Sequence, residues 1–99
     1  MIPENYKMKY TWFQDFKIAD AFGIKAIKDT YNRAFNEWKG NWEAMAELSF
    51  CLNIKCWDFY HEGKLELSEL YANLYHDCYD KCIEHFKNDE LTKYWSFLD

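Results

Sequence analysis

The sequence predicts an all-α fold: a single-domain bundle of four main helices plus a short C-terminal helix. Three observations carry this expectation. No run alternates apolar and polar residues for long enough to make a strand. Apolar residues recur instead every three or four positions over most of the chain. The only glycines, Gly23, Gly40 and Gly63, fall where that periodicity stops, and glycine accommodates the left-handed residue that closes a helix. With 99 residues, 1–99 makes one domain, well short of the roughly 250 residues at which cores divide.

Residues 1–10 read as an irregular N-terminal segment. The first helix starts after Thr11, because Thr11-Trp12-Phe13-Gln14 fits a capping box in which threonine and glutamine satisfy each other's free backbone donors. It runs to about Phe22. The second, about Ile24 to Lys39, carries Ile24, Ile27, Tyr31, Ala34, Phe35 and Trp38 on one face and spaced charges, Asp29, Arg33 and Glu37, opposite. The third, about Trp42 to Glu62, has a wide apolar arc: Met45, Leu48, Leu52, Cys56 and Phe59 on one side, Phe50, Trp57 and Tyr60 on another. Neighbours on two sides are expected for such an arc. The fourth spans about Glu66 to Lys87, and the short turn at Gly63-Lys64 makes 42–87 an antiparallel helical hairpin, with Cys56 near the level of Ala72. A last helix, about Glu90 to Leu98, follows Asn88-Asp89 as its cap. The expected core is Trp12, Phe16, Ile27, Tyr31, Phe35, Trp38, Leu52, Cys56, Phe59, Tyr71, Leu74, Cys78 and Cys82.

A net charge of −5 disfavours a generic nucleic-acid binder. The balance of 49% hydrophobic and 29% charged residues belongs to a folded chain and not a disordered one. No apolar run approaches the roughly 18 residues of a membrane span, and the first residues lack a secretory layout. A cytoplasmic protein is expected, with its four cysteines as free thiols. Cys78, Cys82 and His85 fall on one helical face and resemble half of a metal site. Leu67, Tyr71, Leu74 and Phe86 share that face, which marks it as a packing face. Cys51, among Glu43, Glu47, Lys55, Asp58 and Glu62, is expected to be exposed.

Phosphate-binding glycine loops, a nucleophile elbow and H-E-x-x-H are absent from the sequence. No enzymatic constellation and no cofactor is therefore expected. Ile18-Ala19-Asp20-Ala21-Phe22-Gly23-Ile24 looks like the first helix and turn of a helix-turn-helix, with Lys25, Lys28 and Arg33 on the following helix. That gives an alternative reading, a small DNA-binding regulator built on residues 15–33. Asp29 and Asn32, however, stand where the recognition helix of that motif is normally apolar.

Trp12-Phe13-Gln14-Asp15-Phe16, Ile18-Ala19-Asp20-Ala21-Phe22-Gly23, Ile27-Lys28-Asp29-Thr30-Tyr31 and Arg33-Ala34-Phe35-Asn36-Glu37-Trp38-Lys39 together resemble a known family. It comprises small, largely uncharacterised all-helical proteins encoded on conjugative elements and phages of gut Firmicutes. The resemblance implies no catalytic residues. It implies a genomic setting in which small inhibitors of host defence are common.

Glu66, Glu69, Asp77, Asp80 and Glu84 fall on one side of the fourth helix, and Glu43, Glu47, Asp58 and Glu62 form a stripe on the third. Such an array suits a protein that presents carboxylates where phosphates would sit in a basic channel. The same array also serves simply as the solvated face that helices need. Aromatic residues make up 21% of the chain, so either big side chains fill a small core or some rings are expected near the surface. Tyr and Trp are enriched where proteins meet partners. The expectation is a non-enzymatic protein-binding module, an anti-CRISPR-like anti-defence inhibitor, whose partner is a protein such as a nucleic-acid-handling defence enzyme.

Overall fold

The computed structural model describes residues 10–85. They form helices α1 (Trp12–Phe22), α2 (Ile24–Trp38), α3 (Trp42–His61) and α4 (Leu65–His85), and no strand occurs among them. The fold is all-α, as the periodicity predicts. The expected helix over 90–98 and the irregular segment over 1–9 lie outside the described residues.

α3 is the central helix. Everything from Ala44 to Leu52 is buried whatever its polarity, so this half of the helix is enclosed on all sides. α4 packs antiparallel along it through the most extensive contact among the described helices, and α1 and α2 pack against it as well. α1 runs parallel to α3: the Trp12 indole donates to the Ala44 carbonyl at 3.2 Å, and further along Asp20 meets Lys55. Of the expected core, Phe35, Trp38, Cys56 and Leu74 are only half-buried against it and the rest are buried. Met45, Leu48 and Phe50, on the wide apolar arc expected of the third helix, are fully buried too.

Gly23 and Gly63 have positive φ, +104° and +77°, as expected of helix-closing glycines. At Gly63 the closure is complete: Gly63 N–H donates to Tyr60 O at 3.1 Å and Lys64 N–H to Phe59 O at 2.9 Å, which is the Schellman arrangement. Gly40 does not take positive φ, contrary to expectation. The α2–α3 junction is held instead by Asn41, whose N–H donates to Trp38 O and whose side chain accepts from Ala44 N–H at the start of α3. The expected capping box at Thr11 is also absent. Thr11 adopts ψ 24°, and its hydroxyl donates to the charged Asp15 carboxylate at 3.1 Å rather than capping the backbone. The hairpin register differs by one helical turn, since Cys56 lies against Ser68, not Ala72.

Candidate functional site

The Schellman turn leaves the last turn of α3 and the first of α4 projecting as the tip of the hairpin. Trp57, Tyr60 and Leu65 are exposed there at 52, 54 and 62%. The sequence pattern placed Trp57 and Tyr60 with Phe50 on a packed side; only Phe50 is buried. Trp57 and Tyr60 meet edge to face at 5.7 Å, and the His61 ring lies 6.2 Å from Trp57. Two exposed rings so arranged present rigid apolar area with polar edges.

Asp58, Glu62, Glu66 and Glu69 are exposed at the same end of the hairpin. Lys64 pairs with Glu62 at 3.5 Å and lies 5.7 Å over the Phe59 ring. Glu66 and Glu69 sit near the N-terminus of α4, where carboxylates favour the helix dipole. Asp58 and Glu62 stand at the C-terminus of α3, where the dipole opposes them by a few tenths of a kcal/mol each.

The other expected acidic residues do not join this tip in one array. Glu47 is 2% exposed, and its carboxylate accepts the Tyr10 N–H at 3.0 Å. It faces inward because α1 and the residue before it lie along the stripe that the sequence assigned to solvent. Asp77 is committed to the fold: it accepts from the Tyr31 hydroxyl of α2 and pairs with Lys81 at 2.9 Å. Burial works against its ionised form, but those two donors outweigh it and hold its carboxyl below the usual range. Glu43, Asp80 and Glu84 are exposed toward the opposite end of the hairpin. Glu69 and Asp80 are about 16 Å apart along the helix axis, beyond the screening distance of about 8–10 Å. The carboxylates therefore act as two separate patches, and the one at the tip lies on the same end of the hairpin as the exposed Trp57 and Tyr60.

Cys51 is fully buried, which reverses the expectation of exposure. Burial pushes its thiol well up, against the lowering effect of Lys55. Cys78 and Cys82 are fully buried as well, and the Cys78 thiol donates to Met45 O at 3.5 Å. The His85 side chain lies outside the described residues. Among the described residues no three His, Cys, Asp or Glu side chains gather as a metal centre.

The residues of the DNA-binding alternative occupy separate surroundings. Lys25 pairs with Asp29 at 2.9 Å. Lys28 borders a groove between α2 and α4, beside Asp77. Arg33 borders a different cleft, between α1 and α2, beside Asp15 and Glu37. Each of the three thus has a carboxylate nearby, which weakens the field a phosphate backbone would meet.

No helix of the described residues is long and apolar enough to cross a membrane. Compared with known proteins, the chain matches no family model, no curated protein and no solved structure.

Proposed function

We propose that this chain is a non-enzymatic protein-binding module that grips a basic partner with the tip of its α3–α4 hairpin. The observation that supports this most directly is the exposure of Trp57 and Tyr60 at a hairpin end that also exposes Asp58, Glu62, Glu66 and Glu69. Aromatic residues are the usual anchors of an interface, and charges around them set the encounter rate and exclude wrong partners. The family resemblance supplies the setting: an anti-CRISPR-like inhibitor from a mobile genetic element, acting in the cytoplasm on a nucleic-acid-handling defence enzyme through that enzyme's basic surface.

The test is affinity capture from lysate of a gut Firmicutes host, with mass spectrometry to name what is held. Wild-type protein is run beside a Trp57→Ala, Tyr60→Ala pair, an Asp58→Lys, Glu62→Lys, Glu66→Lys triple, and an Asp80→Lys, Glu84→Lys pair. The reading expects one basic protein retained by the wild type and by the Asp80, Glu84 variant, and lost from both tip variants. A partner retained by both tip variants refutes it.

A further inference from the structure

α1 and α2 run antiparallel from the corner at Gly23, and a cleft of about 190 Å³ opens between the start of α1 and the second half of α2. Its lining combines one cation with two anions: Arg33 and Glu37 from α2, and Asp15 from α1. Arg33 and Glu37 stand at the spacing at which helical ion pairs form, and Lys25–Asp29 two turns earlier does form one at 2.9 Å. Arg33 and Glu37 form none among the described residues, so both charged groups are available to the cleft. Asp15 accepts the Thr11 hydroxyl through Oδ2 alone.

A second observation is independent of these charges. Thr30, 8% exposed, lines the same cleft from α2. A threonine hydroxyl in the lining gives the cleft a neutral donor and acceptor beside its charges. Opposite, Trp38 and Tyr10 meet edge to face at 5.3 Å and form an apolar wall.

The mixture of charges selects the ligand. A polyanion would meet Asp15 and Glu37, and a metal ion would meet the Arg33 guanidinium. A molecule carrying one carboxylate and one ammonium satisfies all three. Sites for drug-sized ligands span about 300–1,000 Å³, so this cleft takes something smaller. We propose that it is a binding site for a free α-amino acid with an apolar side chain. The guanidinium of Arg33, a planar fork matched to a carboxylate, holds the carboxylate together with the Thr30 hydroxyl. Asp15 and Glu37 receive the ammonium, and the side chain lies against Trp38 and Tyr10. This site is separate from the hairpin tip, so its success or failure leaves the partner-binding reading untouched.

The experiment is a titration of the full chain with L-leucine and with L-phenylalanine, following the Trp38 indole N–H resonance by NMR. Isocaproate, which lacks the amine, and isoamylamine, which lacks the carboxylate, are the controls. At least one amino acid should give a saturable Trp38 shift with Kd of about 1 mM or tighter. Each control should bind about tenfold more weakly or worse, because one charge-assisted contact is lost. Arg33 and Glu37 are exposed, so Arg33→Met and Glu37→Gln should keep the helical circular dichroism spectrum while each weakens binding about tenfold. No saturable shift up to about 20 mM, a control that binds as well as the amino acids, or unchanged binding in either variant overturns the proposal.

Discussion

Tyr71 of α4 donates its hydroxyl to Asp20 of α1, and Lys55 of α3 pairs with the other oxygen of the same carboxylate. One side chain thus ties three helices together at a place where their apolar surfaces alone set no register. Lys55 is enclosed further by ring faces, lying 5.0 Å from the Phe59 centroid and 5.4 Å from that of Tyr71. Burial, reinforced by the Asp20 hydrogen bond, pushes the Tyr71 hydroxyl upward, so it remains a donor. Asp20→Ala should cost about 3 kcal/mol in urea unfolding, because it strands a largely buried ammonium and a phenol. The double change Asp20→Asn, Lys55→Met should recover part of that loss. A double variant no better than Asp20→Ala would show that the pair contributes net stability and not only register.

Asp77 supplies a pH dependence of known sign. Its folded carboxyl titrates below its unfolded value of 3.8. The ionised form is therefore favoured by folding. Its contribution is complete above the unfolded value and is lost as pH falls through the folded one. The side chain is 47% exposed, so the effect is modest after solvent screening. Wild type should lose more of its urea midpoint than Asp77→Asn between about pH 5 and pH 3. Tyr31→Phe, which removes one of the two donors, should fall between them.

Gly23 and Gly40 should respond oppositely to alanine. Neither has any atom within 4 Å of a built Cβ, so packing does not separate them. Gly23 combines φ +104° with ψ −173°, a region essentially reserved for glycine, and Gly23→Ala should cost about 1–3 kcal/mol. Gly40 has no such backbone, and Gly40→Ala should be neutral or stabilising by up to about 1 kcal/mol through the unfolded chain. Thermal unfolding of the two variants side by side decides it.

The Ser49 hydroxyl is buried without a hydrogen-bond partner among the described residues. Removing a polar group that has already lost its water without compensation should help. Ser49→Ala is expected to raise stability by about 1 kcal/mol; a loss of that size would show that the hydroxyl is satisfied in solution.

The helices, their order and the hairpin were legible because they are local: periodicity, spacing and two positive-φ glycines sufficed. What was not legible depended on contacts far apart in sequence. Glu47, Cys51 and Lys55 share one stripe with Glu43, Asp58 and Glu62, and composition alone marks that stripe as a solvent face. Nothing near it in sequence shows that Tyr10 will donate to Glu47 or that Asp20 will meet Lys55. α1 covers the middle of the stripe and leaves Asp58 and Glu62 exposed. The tip was half-legible for the same reason. A carboxylate marks its own position as solvated unless something distant covers it, whereas an aromatic at helical spacing, such as Trp57 or Tyr60, carries no mark of whether a neighbour reaches it.

Thiol reactivity tests where α1 lies. Cys51 is enclosed completely, with Asp15, Asp20 and Lys55 among its electrostatic surroundings. Cys78 and Cys82 are fully buried under α3, and hydrogen bonding with Cys82 together with burial pushes the Cys78 thiol up. Cys56 alone is half-buried, beside the Ser68 hydroxyl at 3.6 Å. A bulky maleimide needs both access and thiolate, so native protein should modify first at Cys56, and Cys56→Ala should remove that fast phase. The remaining thiols should then react only through opening of the fold, at a rate that rises with urea as global unfolding does. Fast native labelling of Cys51 in the Cys56→Ala variant would mean that α1 does not stay on the polar stripe of α3, and the buried places of Glu47 and Lys55 would fall with it.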